Sequence, residues 1–140
     1  TSHGGGMYID SGTATLEDST FDSNSTRWVG GGAAVQTGSI DIENTVFQDN
    51  TSTYGAGLFL WYGTGSCDGS VSGQYGFFGN TASYGGGAFV YSTSTFVSDT
   101  CDFGDGTSGS DDNSADDIYA AGAYTYDDDE SFTCTGSGCS

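Results

Sequence analysis

The sequence predicts an all-β fold: a right-handed parallel β-helix, or solenoid, of about five coils with a C-terminal capping coil. Three observations predict it. A glycine phrase recurs four times, as Gly4-Gly5-Gly6-Met7-Tyr8-Ile9, Gly30-Gly31-Gly32-Ala33-Ala34-Val35, Gly55-Ala56-Gly57-Leu58-Phe59-Leu60 and Gly85-Gly86-Gly87-Ala88-Phe89-Val90, with starts 26, 25 and 30 residues apart. A second phrase, Phe-x-x-Asn, recurs in phase with it at Phe21/Asn24, Phe47/Asn50 and Phe77/Asn80, beginning 17, 17 and 22 residues after the preceding glycine phrase. Between these phrases apolar residues alternate with polar ones at the period of two that belongs to a strand. Repeats in the range of about 20–50 residues cannot bury a core singly, so they coil and stack on one another.

Each element follows from these residues. Glycine runs and Ser/Thr-dense stretches disfavour helix, whereas Phe, Tyr, Val, Ile and Thr suit strands. After each glycine phrase, Met7/Ile9, Ala33/Val35, Leu58/Leu60 and Ala88/Val90 share one face of a strand and point inward. A second inward pair recurs as Ala14/Leu16 and Ile40/Ile42. The phenylalanines of Phe-x-x-Asn form an internal ladder (Phe21, Phe47, Phe77), and the asparagines (Asn24, Asn50, Asn80) sit at a turn, bonding to backbone or to the next asparagine. The longer third unit places an insertion of about five residues in 63–69. The coils span about 4–29, 30–54, 55–84 and 85–114, with 104–114 a looped-out turn after Phe103. Residues 115–140 read as a degenerate capping coil, with Ile118 and Ala120 inward and Ser131-Phe132-Thr133-Cys134 as its second strand. Five coils at a spacing of about 4.8 Å make a body roughly 24 Å tall.

Composition narrows the function. Nineteen Asp and Glu against a single Lys or Arg, Arg27, give a net charge of −18. Polyanions are repelled by such a chain, since binding a phosphate backbone needs clustered cations; nucleic acid is excluded as a partner. No apolar run is long enough for a spanning helix, so membrane insertion is not expected. With neither an initiator Met nor a signal peptide, the chain reads as a mature or excised segment, and its N-terminus enters the first glycine phrase without a cap. The four cysteines, Cys67, Cys101, Cys134 and Cys139, allow three pairings and lack zinc or redox spacing, which favours disulfides and an extracellular or cell-surface location.

Gly31-Gly32-Ala33-Ala34 and Gly86-Gly87-Ala88-Phe89, each followed by Phe-x-x-Asn or its remnant, resemble the polymorphic outer-membrane-protein repeat of bacterial surface proteins and autotransporter passengers. The resemblance covers residues 4–90; the first and third copies depart from it with Met7 and Leu58 in the alanine slot. It implies a parallel β-helix passenger and a role in adhesion.

Catalysis is not expected. Lyases on this type of fold use Arg or Lys as base, and His3-Gly4 lies at the opposite end of the solenoid from Asp116-Asp117. A binding surface has better support: the outward positions after the glycine phrases are Tyr8/Asp10, Ala34/Gln36, Phe59/Trp61 and Phe89/Tyr91, with Tyr54 and Tyr84 at the preceding turns. An exposed aromatic patch of this kind marks an interaction site, for a neighbouring solenoid chain or for the apolar faces of sugars. No cofactor is required. Asp105, Asp111 and Asp112 in a Gly/Ser-rich stretch make a weak calcium site. Asn24-Ser25-Thr26 and Asn50-Thr51-Ser52 match the glycosylation pattern but coincide with the ladder. The sequence thus points to a non-enzymatic structural or adhesive module that self-associates head to tail by stacking. A carbohydrate-binding module is the alternative, and a polysaccharide lyase- or hydrolase-like enzyme the second alternative.

Overall fold

The computed structural model describes residues 2–69, 74–104, 113–126 and 134–139. Within them the chain is a parallel β-solenoid. Coil one carries β1 (Met7–Ile9), β2 (Thr13–Glu17) and β3 (Thr20–Asp22); coil two carries β4 (Ala33–Glu43) and β5 (Val46–Gln48). Coil three carries β6 (Leu58–Asp68) and β7 (Gly76–Phe78), and coil four β8 (Ala88–Val90) and β9 (Thr95–Asp99). Above these four coils lie β10 (Ile118–Ala120), β11 (Ala123–Tyr126) and β12 (Cys134–Thr135). Every pairing between named strands is parallel, and each strand pairs with its equivalent one coil away. In coils two and three one long strand turns the corner that coils one and four split between two strands, so that β1 and β2 both pair β4 while β8 and β9 both pair β6. A second sheet of β3, β5 and β7 closes the other side.

Register turns the sequence repeat into columns. Met7, Ala33, Leu58, Ala88 and Ile118 line up, as do Ile9, Val35, Leu60, Val90 and Ala120, and all belong to or pack against one core cluster. Leu16, Ile42, Cys67 and Ser98 form a further column. The most uneven column is Ala14, Ile40, Gly65, Phe96 and Tyr124, where a glycine leaves room for the buried Phe96 ring. A Cβ on Gly65 would lie 2.9 Å from Phe96 Cδ2. Phe96 in turn supports Tyr124, whose hydroxyl meets Ser98 Oγ at 2.8 Å inside the core.

Phe21, Phe47, Phe77 and Phe103 stack at centroid distances of 4.7, 4.9 and 5.0 Å with interplanar angles of 12° or less. Beside them runs the asparagine ladder. Asn24 Nδ2 donates to Asn50 Oδ1 at 3.0 Å, Asn50 Nδ2 to Asn80 Oδ1 at 2.9 Å, and Asn80 Nδ2 to Asn113 Oδ1 at 2.8 Å. Each acceptor oxygen also takes the backbone N–H of the asparagine below it. Asn113 therefore completes the fourth coil although it follows Phe103 by 10 positions instead of three. The residue before each of the first three asparagines, Ser23, Asp49 or Gly79, has a positive φ of 54–58°, which turns the chain at that corner.

Two sequence expectations shift. The insertion of coil three does not fall in 63–69: Gly63 to Asp68 pair in unbroken register with Gly38 to Glu43, and the extra residues lie between Asp68 and Gly76. Gly63 and Gly65 are strand positions, Gly65 under the Phe96 ring, which a reading of glycine as punctuation misses. At the C-terminal end, the strand following β10 is β11, paired with β9; Cys134 belongs to β12, paired with β10, so it does not mark the second strand of that coil. Residues 131–133 lie outside the described residues.

The cysteines form disulfides, as expected. Cys67 pairs with Cys101 and Cys134 with Cys139. No helix among the described residues is long and apolar enough to cross a membrane.

Candidate functional site

The glycine phrase builds the outer face as well as the inner one. Gly55 has a φ of +57°, a conformation that a side chain disfavours, and this turns the chain into β6. Gly57 serves a different need, since a Cβ there would sit 2.6 Å from Phe77 Cδ1. The same approach recurs between Gly32 and Phe47 at 2.7 Å and between Gly6 and Phe21 at 2.8 Å. This contact is why the two phrases recur together: the glycine that opens each strand makes room for the phenylalanine that closes the coil.

The strands so placed present one aromatic column outward. Tyr8, Ala34, Phe59, Phe89 and Tyr119 are in register. Phe59 stacks on Phe89 at 5.3 Å and 21°, and Phe89 on Tyr119 at 4.9 Å and 13°. A second column flanks it at the turn before each strand, where bridges join His3 to Val29, Val29 to Tyr54 and Tyr54 to Tyr84. Tyr54 stacks on Tyr84 at 5.5 Å and meets Phe89 edge to face at 79°. On the other side Trp61 stands edge to face against Phe59 at 80° and at 64° to Tyr91. Phe59 and Phe89 thus form the floor of a groove, with Tyr54 on one wall and Trp61 and Tyr91 on the other. The groove encloses about 270 Å³ and is lined by Val29, Tyr54, Phe59, Trp61, Phe89 and Tyr91, none of them charged.

The six aromatic residues singled out in the sequence divide by exposure. Tyr84 and Tyr91 are 46% and 40% exposed, and Tyr54 and Trp61 are half-buried. Phe59 and Phe89 point outward but are only 6% and 7% exposed, so the expectation that they are open surface is corrected. Their cover comes from their own neighbours in an outer apolar cluster of Val29, Ala34, Phe59 and Phe89, flanked by Tyr54, Trp61 and Tyr119. The residues from 62 to 68 continue strand β6.

Val29 escaped the sequence reading, although the signal was there: it precedes Gly30 as Tyr54 precedes Gly55 and Tyr84 precedes Gly85. Tyr62, 52% exposed beside Tyr91, was missed because it follows Trp61 at the corner of β6, where alternation breaks. Toward the N-terminal coil the face turns polar. Tyr8 donates to Gln36 Oε1, and its pKa is raised above the ordinary tyrosine value, first by desolvation and then by the Asp10 carboxylate. The one cation of the chain, Arg27, lies 5.5 Å from the centre of the Trp28 ring.

The calcium expectation falls on Asp105, Asp111 and Asp112, which lie outside the described residues. Among the described residues no three His, Cys, Asp or Glu side chains converge to hold a metal ion. Asn50 and Asn80 are fully buried in the ladder, so the glycosylation pattern at Asn50 marks a structural amide. Comparison with protein-family models, curated proteins and solved structures gives no match for this chain.

Proposed function

We propose that this chain is a non-enzymatic, extracellular structural and adhesive module, a length of solenoid that assembles by stacking at its N-terminal coil. One observation carries the reading. Among the described residues β1, β2 and β3 pair on one side only, and the asparagine ladder ends there on an acceptor, Asn24 Oδ1, to which no described residue donates. Phe21, at the same end, stacks on Phe47 and is only half-buried. A coil of the same kind would supply a parallel strand, an amide donor and a ring in register at once. Unpaired strand edges are templates for such pairing, and a heterologous end contact need not close into a ring. The likeness of the paired phrases to bacterial surface-protein repeats, and two disulfides that suit an oxidising compartment, support a surface location.

Sedimentation velocity and negative-stain electron microscopy of the purified chain test this. Linear particles that lengthen with concentration, several times the height of roughly 24 Å that five coils give, are expected. A single monomeric species at all concentrations would overturn stacking between copies.

A further inference from the structure

The groove between Tyr54 and Trp61 has a chemistry that selects its occupant. On a chain of net charge −18, its six lining residues carry no charge. An anionic polymer or membrane surface is repelled by the molecule as a whole, and a cationic partner gains more from the acidic surfaces elsewhere. A second copy brought face to face would set one net charge of −18 against another without the backbone pairing that end-on stacking provides. What remains is a neutral ligand that is apolar on its faces and polar at its edges. The site matches that description: two phenylalanine rings for a floor, and walls of Tyr54, Trp61 and Tyr91, whose bodies are apolar and whose hydroxyl and N–H groups can reach partners at the rim. The floor rings Phe59 and Phe89 also repeat along the solenoid at 5.3 Å, close to the length of one pyranose unit.

We infer that this groove binds an uncharged pyranose glycan, with the C–H groups of the sugar against the walls of Trp61 and Tyr91 and across the ring edges of Phe59 and Phe89, and its hydroxyls at the rim. The inference rests on the adhesive half of the proposed function and supplies its ligand. It does not depend on stacking, which is read separately from particle length without sugar.

Trp28→Phe leaves Trp61 as the only indole of the chain, since there are two tryptophans in all. Titration of that variant with cello-, xylo-, manno- and chitohexaose is expected to give saturable changes in Trp61 fluorescence for at least one of them. Hexagalacturonate, which is anionic, is expected to give none. Tyr91→Ala, at an exposed position, should weaken binding at least about tenfold, and calorimetry on Trp61→Ala should show a comparable loss with the circular dichroism unchanged. No response to any neutral hexasaccharide at about 10 mM, where even millimolar affinity registers, would overturn the inference. So would binding that both substitutions leave intact. Sugar-free dimerisation that Trp61→Ala abolishes would make the groove a protein interface and overturn it as well.

Discussion

Asn80 is fully buried, and its amide makes four hydrogen bonds to three neighbours. Its Oδ1 accepts the backbone and side-chain N–H of Asn50, while its Nδ2 donates to Phe47 O and Asn113 Oδ1. Removing that amide takes the acceptor from the buried Asn50 N–H and one partner each from Asn50 Nδ2, Phe47 O and Asn113 Oδ1, all away from water, and each unsatisfied buried group costs about 1–3 kcal/mol. Asn80→Ala should therefore lose about 3–5 kcal/mol of stability in urea unfolding, at the upper end for single substitutions. Asn24→Ala tests the same logic at the open end, where the residue only donates and is half-buried; its cost should be about 1 kcal/mol. Equal losses at both positions would show that the ladder's energy does not come from buried amides. The sequence made this ladder legible because phenylalanine and asparagine recur at fixed spacing. Asn113 was visible only as a late asparagine, since what identifies it as a ladder member is its hydrogen bonds to Asn80 and to Phe77 O.

Between elements, the long strands β4 and β6 and the tie between Cys67 and Cys101 hold the middle of the solenoid. Cys67 lies in β6, in the inward column with Leu16, Ile42 and Ser98, and Cys101 follows β9; both are buried. The bridge spans 34 positions and joins coil three to coil four on the side of the insertion before Gly76. A closed loop of that length restricts the unfolded chain by about 3–4 kcal/mol in the chain-entropy account. Replacing both cysteines by serine should lower stability by at least that amount, whereas replacing Cys134 and Cys139, which close a span of only 5 positions, should cost less. The order of the two losses in chemical unfolding checks this, and a reversed order would locate the weak point of the solenoid at β12. At this scale the first strand of each coil was legible, because glycine followed by two alternating aliphatics repeats without interruption. The course of 63–69 was not. Gly65 looks like a turn residue until Phe96 from the next coil is seen to occupy the space above it, a pairing that sequence spacing does not reveal. The exposed state of Phe59 and Phe89 was misread for a related reason: alternation says which way a side chain points, and only lateral neighbours such as Tyr54 and Trp61 decide whether it meets water.

For the whole molecule, charge opposes what geometry favours. Nineteen acidic residues against one cation repel one another within a coil stack and between stacks brought end to end. That repulsion reaches about 30 Å at 0.01 M salt, longer than the solenoid is tall, and about 10 Å at 0.1 M. Raising sodium chloride from about 0.01 to 0.5 M should therefore raise the thermal midpoint of the monomer and lengthen the particles seen by sedimentation, both in the same direction. Binding of a neutral glycan in an uncharged groove has no such term, so its affinity should stay within about twofold over that range. Measuring all three on one preparation separates the two activities. Particle length that ignores salt would mean that the end contact is not between acidic chains, and a glycan affinity that falls steeply with salt would mean that a charge, and not the uncharged aromatic groove of Phe59, Phe89, Trp61 and Tyr91, recognises the sugar.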